Sequence, residues 1–452
     1  MFANFRKDRE FFRMFLTIAL PITVQNLIIF SVQVADTIMV GRLGEVPLSA
    51  VQQANQLSFL MILTVFGLVS GANVMVAQYW GKGDVENIHK VMTVTYRLVA
   101  VFVSMFAVLA IGFPVQVMSI LGVEEIVDLG VSYLRVIGIA YLFTGFTAST
   151  LALLRAVATV KIALAVATST LILNISGNWI LIFGNLGAPA LGVRGAAIAT
   201  VIARAVELII VLVYMSRFER KLRYTLRALF ARGLNFLREY VESAAPVFIN
   251  EVLWGMGAVV LSIIIGQMGT EFIAAKGVAN VLGNLVSVAV FGAAASSAVI
   301  IGNTVGSGRY DLARERSSKL IIISLILGLF AMCMVLLLRI PTLALFGNLS
   351  DTAQAYAGQL ILVNSVVMFV QAFTFVALVG VLRGGGDGKF AAMADIATMW
   401  GVALPLGFLA GHVWGLPVPV VFAFLKIDEL LKVIVCLPRL LGGKWVRDVT
   451  LS

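Results

Sequence analysis

An all-α polytopic membrane protein, twelve transmembrane helices in two six-helix bundles, is the fold class this sequence predicts, and three observations predict it. Hydrophobic residues make up 60% of the 452 residues and charged ones only 12%, with a mean hydropathy of +1.02. A soluble domain carries about 25% charged residues. Uncharged stretches of about 20 residues, enough to cross a bilayer core at about 1.5 Å per residue, recur throughout. The second half also repeats the first at a spacing of 225 residues.

Twelve hydrophobic spans follow in order, at residues 14–40, 51–79, 91–113, 127–152, 162–184, 192–215, 240–265, 275–304, 319–340, 355–381, 390–412 and 418–438. The first is too long for a removable signal peptide and lacks its small-residue cleavage pattern, so it is expected to stay in the mature chain. The two cysteines, Cys333 and Cys436, lie inside apolar stretches and imply neither a disulfide framework nor a metal cluster.

Loop charge predicts orientation, because Lys and Arg are retained on the cytoplasmic side of short loops. The cations of the N-terminal tail (Arg6, Lys7, Arg9, Arg13), of the loop after span 6 (Arg217 to Arg238), of the loop after span 8 (Arg309, Arg314, Arg316, Lys319) and of the C-terminal tail (Arg439, Lys444, Arg447) fall on one side. The loop GFPVQVMSILGVEEIVD on the other side holds acids and no Lys or Arg. Both termini are therefore expected in the cytoplasm, with the protein integral to the cytoplasmic (inner) membrane. The net charge of +10 reflects this topology and an attraction to anionic membrane lipids, not nucleic-acid binding.

Aligned at 225 residues without a gap, sixteen pairs are identical between Pro21 and Gly83, among them Pro21/Pro246, Gly41/Gly266, Asn55/Asn280, Phe66/Phe291 and Gly81/Gly306. A duplicated six-helix unit follows, with domains expected at 1–215 and 240–452 and a cytoplasmic linker at 216–239. Six is even, so both halves enter from the same side, related by a pseudo-two-fold axis along the membrane normal. Two like bundles around a cleft suit alternating access better than a fixed pore.

Polar residues inside the spans are the candidate site, since a carboxylate in hydrocarbon costs about 2.5 kcal/mol or more and normally faces a cavity or a partner. Asp36 stands near the end of span 1, and Glu251 near mid-depth in span 7; these are the candidate proton- or cation-coupling acids. Glu251 corresponds in the repeat to Asn26, so each half places a polar pair, Gln25-Asn26 and Asn250-Glu251, just after a proline. Those prolines, Pro21 and Pro246, each remove a helical N–H and free a carbonyl beside these side chains. Trp254, one turn beyond Asn250 and Glu251, and Asn280, the repeat partner of Asn55, belong to the same candidate substrate cavity.

Pro21 fifteen residues ahead of DTIMVGRLG (36–44), AAIATVIAR (196–204) after NISGNWILIFGNLGAPALGVRG, and VLRGGGDGKF (381–390) resemble the multidrug and toxic compound extrusion (MATE) family, over essentially the whole chain. The resemblance implies an antiporter that exports bulky, often cationic and aromatic compounds in exchange for protons or sodium ions. It carries a functional acid onto Asp36 and a fifth-helix asparagine onto Asn174. Members often have an acid four residues further on, where this chain has Asn178. The seventh-helix acid of the sodium-coupled bacterial branch falls on Trp254, and its tenth-helix acid on Ala372, flanked by Gln371, Phe373 and Thr374; on this resemblance Asn174, Asn178, Gln371 and Thr374 join the candidate substrate cavity. That three-carboxylate sodium site is thus incomplete, which favours H+ over Na+. The working mechanism is that a proton taken up by Asp36 or Glu251 releases a bound organic cation outward.

Other polar groups carry simpler readings. RGGGDGK (383–389) lacks the GxxxxGK[ST] of a phosphate loop and reads as a tight turn, with Arg155 and Lys161 holding the like place in the first half. Lys426, Asp428, Glu429 and Lys432 read as an ion-pair cluster, as do Arg204 and Glu207; Asp395, His89 and His412 read as interface or loop residues. No catalytic constellation is visible and no cofactor is implied, so an enzyme is not expected. A lipid or oligosaccharide flippase of the same superfamily is the alternative, against which the acids at 36 and 251 weigh. Small-molecule drugs or organic cations are the expected partners of a monomer.

Overall fold

The computed structural model describes residues 9–121, 124–225, 228, 237–346 and 350–450. Arg6, Lys7, Arg227, Arg232, Gly122, Val123 and part of the 216–239 linker, which figure in the loop reading, lie outside the described residues. Every regular element among the described residues is helical, as lipid requires: a spanning segment must satisfy its own N–H and C=O groups.

Eleven helical runs are long and apolar enough to span a membrane. They are α1 (Arg9–Gly41), α2 (Glu45–Lys82), α3 (Val85–Gly112), α4 (Glu124–Ala156), α5 (Lys161–Phe183), α6 (Gly192–Phe218), α7 (Leu237–Gly266), α8 (Thr270–Gly306), α9 (Tyr310–Leu345), α10 (Asp351–Arg383) and α11 (Gly388–Val413). The predicted twelfth span is divided at Lys426 into α12 (Val418–Leu425) and α13 (Ile427–Leu441). Helices overrun the predicted spans, α2 covering 45–82 against 51–79, because a helix continues into polar surroundings where its apolar window ends.

Local chemistry sets the ends. Asp84 accepts the Asn87 N–H at 3.0 Å to cap α3, and Ser350 accepts that of Ala353 at 3.2 Å to cap α10. Gly184, at φ +75°, closes α5 in the left-handed conformation a side chain disfavours. Pro21 and Pro246 lie inside α1 and α7, which run on through them. In the second half α10 finishes in a π-helical stretch, Val376–Arg383, and α11 contains two π turns, Met399–Ala403 and Leu409–Val413. Such widened turns rotate the residues beyond them onto another face, and they gather at functional sites.

The chain forms two compact units, one of residues 24–76 and 84–248, the other of residues up to 23, 77–83 and 249 onward. In the first, the core holds Leu57, Met61 and Val65 of α2, Val99 and Val103 of α3, and Leu134, Ile137 and Tyr141 of α4. In the second, Ile264 and Ile265 of α7, Phe272 and Leu282 of α8, and Leu360 and Ile361 of α10 play that part with Val421 and Phe422.

Within the second unit the ends of α2 and α8 meet backbone to backbone at repeat-equivalent positions. A Cβ at Gly306 would strike the main chain of Gln78, and one at Gly81 the main chain of Asn303 and Ser307. The glycine-rich turn at 384–386 is clasped there by the C-terminal tail. The Arg447 N–H donates to the Gly385 carbonyl at 2.8 Å, Gln78 bonds the Arg447 carbonyl and the Val449 N–H at 3.0 and 2.8 Å, and Lys82 pairs with Asp448 at 2.9 Å. Trp445 is wholly buried, its ring where a Cβ on Gly385 would lie. Asp387, also buried, answers Arg439 at 2.7 Å and Arg447 at 3.4 Å. This stretch is a turn, as its sequence predicts, and its glycines admit the tail.

Gly306→Ala should lower stability by about 1–3 kcal/mol, the cost of overpacking where backbone rather than a mobile side chain is in the way. Gly277→Ala, at an open α8 position with nothing within 4 Å, should leave the thermal midpoint unchanged or raised. Thermal unfolding of the two purified variants compares them directly.

Candidate functional site

Helical periodicity brings the first unit's polar residues together. On α1, Gln25, Ile29, Val32 and Asp36 recur every three or four residues and so share one face; on α5, Thr170, Asn174 and Asn178 do the same, as do Thr200, Arg204 and Glu207 on α6. Asn178 Nδ2 donates to Asp36 Oδ1 at 2.5 Å and lies 3.2 Å from Asn174 Oδ1, and Asn174 Nδ2 donates to Thr200 Oγ1 at 3.3 Å. A hydrogen-bonded line thus runs from α6 across α5 to the α1 carboxylate.

Beside that line lies a cavity of about 160 Å³ whose polar lining includes Gln25, Asp36, Thr147, Thr170, Arg204 and Glu207. Drug-sized ligands occupy pockets of about 300–1,000 Å³, so this space suits an ion or water. Arg204 Nη1 bridges both Glu207 carboxylate oxygens at 2.8 and 2.9 Å, and the Thr170 hydroxyl also bonds Glu207. The cavity's cation is therefore committed to Glu207, while Asp36 rests on an amide. The Thr147 hydroxyl and Asn178 Oδ1 are buried without a protein partner.

The second unit holds a denser set. Glu251 on α7 pairs with Arg383, from the π-helical end of α10, at 2.6 Å, both buried. Its neighbour Asn250 donates to Asp395 Oδ2 on α11 at 3.0 Å. Lys432 on α13 reaches Asp395 at 2.8 Å, Asp428 at 2.7 Å and Glu429 at 3.7 Å. Thr374 lies 2.5 Å from Glu429, and Gln371 3.5 Å from it.

The structure thus joins Asp36 with Asn174, Asn178 and the Gln25-lined cavity, and joins Glu251, Asn250, Gln371 and Thr374 with a charge cluster. It leaves the rest apart: Trp254 and Asn280 are exposed and Asn26 half-buried, none with a bond to either set among the described residues. Asp395, read from its position as near the interface, is buried in the protein and pairs with Lys432 at 2.8 Å. Arg383 was legible only as part of a turn, whereas Arg204 and Glu207 form the ion pair that their spacing predicts. The available signal was the polar residue every third or fourth position on spans otherwise apolar.

A family model described as MatE matches residues 21–180 and 246–409. The two matches begin at Pro21 and Pro246, the 225-residue displacement of the internal repeat. Among similar proteins, the uncharacterized transporter YisQ of Bacillus subtilis is 26% identical over 434 residues, which cover 94% of this chain and 93% of that one. The probable multidrug resistance protein NorM of Agrobacterium fabrum is 26% identical over 419 residues, 89% of each chain. Of solved structures, a mutant of the Vibrio cholerae MATE transporter VcmN superposes with a TM-score of 0.87 at 16% identity, over 97% of this chain and 98% of that one. A MOP superfamily transporter from Pyrococcus furiosus gives 0.85 at 19%, over 95% and 96%. These structures share the fold, twelve helices in two bundles.

Removing one member of the Glu251–Arg383 pair strands the other charge in a buried site. Glu251→Gln should cost about 3–5 kcal/mol, and Glu251→Gln combined with Arg383→Gln should recover most of it. Unfolding midpoints of wild type, both single variants and the double variant close the cycle.

Proposed function

The chain belongs to the MatE family and is a membrane transporter, not an enzyme; from that premise we propose that it is a multidrug efflux antiporter that exchanges organic cations for protons at Asp36. One observation carries the reading: Asp36 lines a cavity that also holds a cation, Arg204, and that cation is bound to another carboxylate. A carboxylate held by amides and left without a fixed counter-ion can take a proton or yield to a positive substrate in turn. Relatives named for multidrug resistance support the direction of transport.

The proton is the coupling ion in this proposal. Sodium is held by several oxygen ligands, and Trp254 and Ala372 stand where the family's sodium-coupled branch has two of its acids, whereas a proton needs one titratable group. Glu251 has the other role. Its protonation would leave Arg383 buried and unanswered, so it holds α7 to α10 and does not exchange. The 160 Å³ cavity takes the ion, and a drug-sized substrate needs more room than it offers. Lobes 1–215 and 240–452 joined by a linker at 216–239, both termini in the cytoplasm, an inner-membrane location and a monomeric state complete the proposal. Its support is the loop charge and the repeat.

Competition at one carboxylate sets the sign of the pH effect. A proton on Asp36 removes the charge that attracts the cation, so substrate affinity falls as pH falls, by up to about tenfold per pH unit once the acid is mostly protonated. Vesicles containing the purified protein and loaded with ethidium should lose dye under a pH gradient and not under a sodium gradient, and Asp36→Asn should abolish the loss. Equal ethidium affinity at pH 5 and pH 8 would exclude a shared carboxylate. No dye movement under either gradient would favour the flippase reading, to be followed with labelled lipid-linked substrates.

A further inference from the structure

Apart from Asp387, which Arg439 and Arg447 answer, four buried carboxylates of the second unit, Glu251, Asp395, Asp428 and Glu429, lie beside three cations. Arg383 is taken by Glu251 at 2.6 Å. Lys432 is taken by Asp395 and Asp428, leaving Glu429 3.7 Å away and beyond hydrogen-bond reach. Lys426, half-buried at the break before α13, makes no ion pair with Glu429 and acts on it only from a distance. Even with Lys426 counted, four negative charges face three positive ones. An uncompensated charge so buried is costly enough that the site must acquire a positive one.

Hydrogen atoms are short in the same place. The Thr374 hydroxyl lies 2.5 Å from Glu429 Oε2 and 3.1 Å from the Gln371 carbonyl, and it has one hydrogen for two acceptors. A carbonyl brings none, so a proton on Glu429 would let each of the two bonds have its own hydrogen. Independently, Asn250 gives its amide N–H to Asp395 while its own Oδ1, wholly buried, receives no donor. The cluster thus holds an orphan acceptor on α7 and, at Arg383 Nε, an orphan donor on α10.

We propose that Glu429 is a second proton-binding site of this transporter: it carries an exchangeable proton donated to Thr374 Oγ1, while the Thr374 hydroxyl turns to the Gln371 carbonyl. The groups facing it are Gln371 and Thr374 on α10, Asp428, Lys432 and Cys436 on α13, and Lys426 ahead of it; behind Lys432 stand Asp395 on α11, Asn250 and Glu251 on α7, and Arg383. Loss of the proton leaves Lys432 serving three carboxylates, and Thr374 must leave the α10 carbonyl to donate to Glu429. Proton exchange therefore rewires the bonds joining α10, α11 and α13. Its use in a transport cycle rests on the antiport reading, but the presence of the proton does not.

Infrared spectroscopy of the full-length protein in lipid tests this at neutral pH, where surface acids with ordinary values of about 4 are ionised and silent in the protonated-carboxyl region. The measurement is made in Asp36→Asn protein, which removes the first site. A deuterium-sensitive carboxyl C=O band is expected there, lost in Glu429→Gln and shifted to higher frequency in Thr374→Val, which keeps the side-chain shape and removes the acceptor. Absence of the band, its persistence in folded Glu429→Gln, or an unmoved band in folded Thr374→Val would overturn the proposal. So would sodium binding by calorimetry that depends on Glu429, since a bound ion would then supply the missing charge. Failure of wild-type dye efflux, by contrast, would sink the antiport reading and leave the band, and this site, standing.

Discussion

A charge within a membrane-spanning bundle must be answered from inside the protein, because lipid offers neither counter-ion nor hydrogen bond. That constraint decides which helices belong together in each unit. Arg383 and Glu251 tie α10 to α7, and Lys432 and Asp395 tie α13 to α11. The apolar remainder of each core is interchangeable by comparison, since one buried aliphatic contact resembles another, whereas an ion pair has one partner at one distance. Asp36 stands out against this background. It is the carboxylate answered by an amide although a guanidinium lines the same cavity.

The two units descend from one repeated pattern and have diverged in chemistry. Behind Pro21 stand Gln25 and Asn26, and behind Pro246 stand Asn250 and Glu251. The neutral pair leaves room beside it, so the first unit keeps a cavity. The charged pair is answered by Arg383, beside which Asp395, Asp428, Glu429 and Lys432 form a cluster of ion pairs. A polar-to-acidic difference at one repeat position thus separates a site that can receive an ion from one whose charges are largely committed to one another.

Most of the fold was legible because its signals are additive. Twenty apolar residues announce a helix whatever surrounds them, and the aligned prolines and glycines announce the duplication. The close approach of α2 and α8 was legible in part, since Gly81 and Gly306 are visible as a matched pair although their contact is not. Asp36 was legible too, as a carboxylate where lipid forbids one. The partners were not. Asp395 could be matched to Lys432 only once α11 and α13 were packed, because the pairing depends on helix rotation, and the π turns of α10 and α11 alter that rotation without any residue type that announces them. Arg383 misled for the same reason: in a glycine-rich stretch it reads as a loop cation, and the widened last turn of α10 carries it inward to Glu251. The split at Lys426 was hidden as well, since its helical spacing to Glu429 survives the break in hydrogen bonding.

A threonine hydroxyl against a glutamate occurs in both units, and the difference between the two explains why one glutamate needs a proton and the other does not. Thr170 bonds Glu207 and also the Val166 carbonyl at 2.9 Å, as Thr374 bonds Glu429 and the Gln371 carbonyl. At Glu207, however, Arg204 lies 2.8 and 2.9 Å from the two carboxylate oxygens, so the negative charge is met by a permanent cation and the acid can stay ionised. At Glu429 the corresponding service would come from Lys432, but that ammonium is drawn to Asp395 and Asp428 and stops 3.7 Å short. Two contacts alike in geometry therefore differ in protonation because of how many carboxylates compete for one cation. Competition for a shared charge, the principle by which Asp36 would trade a proton for cargo, thus also operates among the acids of the second unit.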